Sequence, residues 1–67
     1  MVGKRCRRYA FHMKDGSPTI EALLVARRRG EYVVKDALIL KSADESVALD
    51  GVIEVPRGNV WVLQEIR

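Results

Sequence analysis

One cysteine and one histidine in 67 residues leave this chain without a staple of its own. A lone thiol cannot close an internal disulfide, and two ligands cannot complete a structural zinc site. Below about 70–80 residues a single hydrophobic core rarely contributes more than ~3–5 kcal/mol. The sequence therefore predicts a chain stabilised by association with partners. Its composition is that of a folded protein, since 48% of residues are hydrophobic and only 31% charged. No apolar run approaches the roughly 20 residues of a membrane helix, and no signal-peptide core follows the basic start. The expectation is one soluble, cytoplasmic domain.

The net charge of +3 is unevenly spread. Residues 1–33 carry Lys4, Arg5, Arg7, Arg8, Lys14, Arg27, Arg28 and Arg29 against Asp15, Glu21 and Glu31. The remainder carries Lys35, Lys41, Arg57 and Arg67 against Asp36, Asp44, Glu45, Asp50, Glu54 and Glu65. A basic first half and a mildly acidic second half suit nucleic-acid binding, and equally suit electrostatic contact between subunits.

Residues 1–8 read as a basic, flexible arm with little to bury, followed by one domain over residues 9–67. Tyr9, Phe11 and Met13 alternate with Ala10, His12 and Lys14, the period of a half-buried strand. Asp15, Gly16, Ser17 and Pro18 supply turn chemistry. Residues 19–29 admit two readings. Ser17 and Pro18 can open a helix that Gly30 closes, with Ile20, Leu23, Leu24 and Arg27 at helical spacing. Alternatively, Ile20, Ala22, Leu24 and Ala26 alternate with Leu23 and Val25, as in a strand covered on both faces.

Residues 31–41 form a further strand, with Tyr32, Val34, Leu38 and Leu40 in one phase. Asp36 interrupts that phase, which predicts a bulge or sharp bend. Residues 42–50 read as a polar connection anchored by Val47 and Leu49, and residues 51–55 as a fourth strand. Pro56, Arg57 and Gly58 turn the chain into a last strand over residues 59–66. There Val60, Val62 and Ile66 face one way, Trp61 and Leu63 the other. With residues 19–29 as a strand, five short strands joined by tight turns indicate an all-β, five-stranded small barrel. Such a barrel needs about one inward set per strand. Leu23, Val25, Trp61 and Leu63 are left over on outer faces, where they are either covered by the N-terminal arm or together make a candidate subunit interface.

The order of these pieces resembles the Sm/LSm family. Met13, Lys14, Asp15 and Gly16 are similar to the family's Leu-Lys-Asp-Gly step, and residues 20–37, ending in Lys35, Asp36 and Ala37, resemble the rest of its first motif. Val55, Pro56, Arg57, Gly58, Asn59 and Val60 resemble its second motif. The likeness spans residues 9–66 and favours a strand over residues 19–29. It implies a strongly bent, five-stranded Sm-like small barrel assembling into a homo-oligomeric ring, a hexamer or heptamer, in which the fourth strand of one subunit pairs with the fifth of the next. That pairing covers the edge strands a lone barrel leaves open.

The same resemblance implies RNA held around a central pore by two loops, here Arg28, Arg29, Gly30, Glu31 and Tyr32, and Arg57, Gly58 and Asn59. The family's first loop presents an Asp and then a base-reading Asn, and this chain has Arg28, Arg29, Gly30 and Glu31 instead. Ring architecture therefore carries over better than base recognition. Comparable short chains occur in bacterial viruses, so the resemblance is compatible with a bacteriophage or bacterial source.

Arg27, Arg28, Arg29 and Arg57 are the candidate phosphate contacts, since guanidinium groups bind phosphate bidentately and ring symmetry multiplies them. The alternative is a solvated turn whose arginines pair with Glu31 or with a neighbour's acids. Tyr32 is a candidate base-stacking residue, although its phase favours the core. His12 reads as a surface strand residue. Cys6, between Arg5 and Arg7, has no base or second thiol beside it. Asp44, Glu45 and Asp50 lack calcium-loop spacing. No catalytic set or phosphate-binding glycine loop is present in the sequence, so the expectation is a non-enzyme without metal or cofactor. The sequence leaves a ring that binds RNA or single-stranded nucleic acid, or a structural ring that binds protein.

Overall fold

A computed structural model describes residues 7–66. Five antiparallel strands form one sheet: β1 (Arg8–Met13), β2 (Thr19–Arg27), β3 (Glu31–Ser42), β4 (Glu45–Pro56) and β5 (Val60–Ile66). A single 3-10 turn, Arg57–Asn59, joins β4 to β5. The strand order is β4-β3-β2-β1-β5. The sheet is not closed, and β4 and β5 are its two edges. Lys4, Arg5 and Cys6 of the expected arm lie outside the described residues. Arg7 and Arg8, read as part of that arm, are tied to the sheet: the Leu24 amide donates to the Arg7 carbonyl at 3.0 Å, and Arg8 pairs with both Leu23 and Ile66.

The alternation of β1 puts Phe11 at the centre of the core, fully buried with Ala22 of β2, Val34 of β3 and Val55 of β4 around it. Its ring meets Tyr32 at 5.5 Å between centroids, tilted by 55°. This tilted packing lets the edge of one aromatic ring face the π cloud of the other. No charged or polar residue is buried among the described residues, so the core carries no electrostatic cost.

Bulges bend the strands, and they correct several expected phases. Asp36 takes a left-handed φ of 51°, a conformation Asp tolerates better than most residues. Beside it the register slips, from Glu21 opposite Leu38 to Leu23 opposite Lys35. Inward residues before the bulge are Tyr32 and Val34; after it Ala37 enters the core, and Leu38 and Leu40 pass to the other face. A second slip, between Leu24 and Ala26, leaves Val25 as an extra, exposed residue. A third lies between His12 opposite Val62 and Met13 opposite Val60, which makes Trp61 the extra residue. Leu63, expected outside with Trp61, therefore packs against the core opposite Phe11, whereas Trp61 stays 66% exposed. The expected connection over residues 42–50 is also shorter than the sequence suggested. Ala43 and Asp44 alone make the turn, and β4 starts at Glu45.

Candidate functional site

The β2–β3 turn and the turn after β4 meet at one end of the sheet. Arg28 donates its amide to the Glu31 carbonyl at 2.9 Å, which closes the β2–β3 turn around Arg29 and Gly30. Arg57 then joins the two turns twice. Its backbone amide donates to the Gly30 carbonyl at 3.0 Å, and its Nη1 donates to the Arg28 carbonyl at 2.8 Å. Residues 29 positions apart in sequence thus form one surface, as the pairing of β3 with β4 from Glu31 opposite Pro56 requires.

Beneath that surface, arginines and tyrosines alternate. The Arg57 guanidinium carbon lies 5.0 Å from the Tyr32 ring centroid, and that of Arg27 lies 6.0 Å from Tyr32 and 5.9 Å from Tyr9. These distances are those of cation–π contacts. Arg27 reaches both rings because the Val25 bulge shifts the phase of β2 and sets Arg27 opposite Tyr32. Tyr32 itself is 9% exposed and belongs to the core. It is therefore not an open stacking platform, because Phe11 and two guanidinium groups already surround its ring.

Arg27, Arg28, Arg29 and Arg57 form no ion pair among the described residues, and all four are exposed. Glu31, the expected internal partner, is half-buried at the start of β3. The ion pair found among the described residues joins Arg7 to Glu65 at 2.7 Å, and the Glu65 carboxylate, by its hydrogen bond first and its charge second, raises the Arg7 pKa further. Four uncompensated guanidinium groups around one end of a small sheet make a positive field that screening or a bound polyanion must relieve.

Asn59 faces the other way. Its carbonyl accepts the Lys14 amide at 2.7 Å, so the 3-10 turn also holds the β1–β2 turn. In that turn Asp15 accepts the Ser17 amide at 2.9 Å. The Ser17 side chain and amide lower the Asp15 pKa from the ordinary carboxylate value, and Asn59 adds to the shift. Gly58 is exposed, and a Cβ at that position would meet nothing within 4 Å, so it leaves the rim between Arg57 and Asn59 uncrowded.

The expected interface residues differ in burial. Leu23 is half-buried opposite Arg8 and Lys35, Val25 is 44% exposed, Trp61 is exposed, and Leu63 is in the core packing. Val52 on the β4 edge, 67% exposed, was not singled out by alternation because the bend at Gly51 precedes it. His12 sits on a surface strand between Gln64 (3.1 Å) and Thr19 (3.4 Å). No cluster of His, Cys, Asp or Glu among the described residues is arranged to hold a metal ion, and no helix there is long and apolar enough to cross a membrane. An open apolar groove of about 270 Å³, lined by Met13, Ile20, Ile53 and Pro56 among others, lies on the Asn59 side. Sequence reasoning singled out the arginine loops but missed Tyr9 and the clamping role of Arg57, because both depend on bulges and long-range pairing. Compared with protein-family models, curated proteins and solved structures, the chain matches none of them.

Proposed function

We propose that this chain assembles into an Sm-like homo-oligomeric ring that binds RNA or another single-stranded nucleic acid through its arginine loops. The observation that carries the reading is the double hydrogen bond from Arg57 into the Arg28–Gly30 turn, which gathers guanidinium groups that form no ion pair among the described residues. Guanidinium clusters of this kind bind phosphate bidentately, and rotational symmetry would repeat them around a pore.

Assembly is supported by the open sheet. Its free edges are β4 and β5, the two strands that the Sm resemblance pairs between neighbouring subunits. Unpaired edges invite pairing, and two unlike edges join head to tail, which closes into a ring when the rotation permits. The edges are also unlike in charge. Strand β4 carries Glu45, Asp50 and Glu54 with no basic residue, whereas β5 carries one acid, Glu65, which Arg7 pairs, beside Arg8 on β1.

Light scattering and fluorescence anisotropy on one sample test the reading. The expected result is a single species at a multiple of the 7.6 kDa chain mass that binds short single-stranded RNA at low salt. Arg28→Ala with Arg29→Ala weakens that binding and leaves the mass unchanged. A 7.6 kDa species alone at micromolar concentration contradicts the ring. A ring that binds no single strand at low salt leaves the second reading, a structural ring that binds protein. The exposed side chains of Trp61 and Val52 favour that alternative.

A further inference from the structure

We propose that the arginine site grips the phosphate backbone of its strand without reading base identity. This rests on the nucleic-acid reading above and narrows its ligand class to a chain of phosphates whose bases are free to vary. Reading a base takes a free amide, carboxylate or guanidinium edge, or a selective stack, held where the strand runs. Besides the arginines, the two loops contain three side chains suited to it, Tyr32, Asn59 and Glu31.

Tyr32 is 9% exposed, and its ring is surrounded by Phe11 at 5.5 Å, Arg57 at 5.0 Å and Arg27 at 6.0 Å. A base would have to displace a guanidinium that is also bonded to the Arg28 carbonyl. Asn59 is half-buried; its backbone carbonyl accepts from the Lys14 amide of the β1–β2 turn, and it lines the apolar groove with Met13, Ser17 and Pro18. It stands at the far end of the 3-10 turn from Arg57. What remains exposed on the arginine side is Arg28, Arg29, Gly30 and Gly58. Guanidinium groups and uncrowded backbone match phosphate oxygens, which are the same at every nucleotide. Trp61 is an exposed aromatic two residues beyond Asn59, but a stack on it would tolerate every base. Glu31 is the one carboxylate in these loops, half-buried, and a reading role for it would appear as a preference for cytosine, whereas one for Arg28 or Arg29 would appear as a preference for guanine.

The experiment is anisotropy with labelled single strands of equal length, oligo-U, oligo-A, oligo-C and an alternating GU repeat, at one salt concentration. Inorganic polyphosphate is the competitor. The expected affinities agree within about threefold, below the discrimination of one good base-edge pair, and Arg28→Ala with Arg29→Ala lowers all four together. Polyphosphate displaces every strand, since it carries the recognised groups and no base. A preference of about tenfold or more for one base, or failure of polyphosphate to compete, overturns the inference and leaves nucleic-acid binding intact. If none of the four strands binds at low salt, the nucleic-acid reading falls and this inference falls with it.

Discussion

Replacing Arg57 with alanine tests whether this side chain is a clamp or a solvated charge. The change removes the 2.8 Å hydrogen bond from Nη1 to the Arg28 carbonyl and the cation–π contact at 5.0 Å with Tyr32. The backbone bond from the Arg57 amide to Gly30 survives. A charge-assisted hydrogen bond contributes about 1.5–3 kcal/mol at most, and exposure to water discounts this one to roughly 0.5–1 kcal/mol. The ring contact adds about 0.5–1 kcal/mol. The sum, roughly 1–2 kcal/mol, corresponds to a fall in Tm of about 5–15 °C for a domain of this size. Arg57→Lys keeps the charge but loses the planar fork that serves carbonyl and ring together, so it should recover little of the loss. Both variants are compared with the parent by thermal and urea unfolding at one protein concentration, because association makes Tm concentration-dependent. A loss below about 0.3 kcal/mol for the alanine variant, or full stability of the lysine variant, would refute the clamp.

Three further outcomes follow from particular residues. Trp61→Asp should lower the assembly mass in light scattering without loss of β-sheet circular dichroism, because Trp61 is 66% exposed within one chain; an unchanged mass removes Trp61 from the interface. The Asp15 carboxyl should titrate below the ordinary carboxylate range by NMR, and Asn59→Ala should move its midpoint upward; a midpoint in or above that range contradicts the hydrogen bonding described. Because its folded-state pKa is lowered, the support that Asp15 gives the β1–β2 turn is present above the unfolded-state pKa. That support is lost as pH falls through the folded value, so Asp15→Asn should flatten that part of the stability profile.

How far the fold was legible depended on where the bulges fell. In β1 the period-2 pattern runs without interruption to His12, and Phe11 took the core position its phase assigned. The turn at Asp15 and the bend at Asp36 were written in residue types that favour them, Asp-Gly-Ser-Pro in the first case and a charge within an apolar phase in the second. The bulges at Val25 and Trp61 were not legible, since nothing in either side chain distinguishes an extra residue from a paired one. Each moved every later residue of its strand to the opposite face, which is why Leu63 is inside and Trp61 outside. The first half of β4 read as a connection because an edge strand is kept polar on its open side. The arginine turn was visible as a charge cluster. That Arg57 spends its guanidinium on Tyr32 and a carbonyl was not, because the contact joins segments 29 residues apart.

The salt dependence of binding tests the central claim most directly. For a single strand, the slope of log affinity against log salt is about −0.7 per phosphate neutralised. Arg28 and Arg29 of each engaged subunit supply two such contacts, so their joint replacement by alanine should make the slope shallower by about 1.4 for every subunit the strand touches. The measurement is an anisotropy titration of one short RNA across a series of salt concentrations, for the parent and the Arg28→Ala, Arg29→Ala variant, each at confirmed assembly mass. The account predicts weaker binding with the shallower slope. An unchanged slope and affinity would show that the strand is held elsewhere and that the two arginines do not contact it.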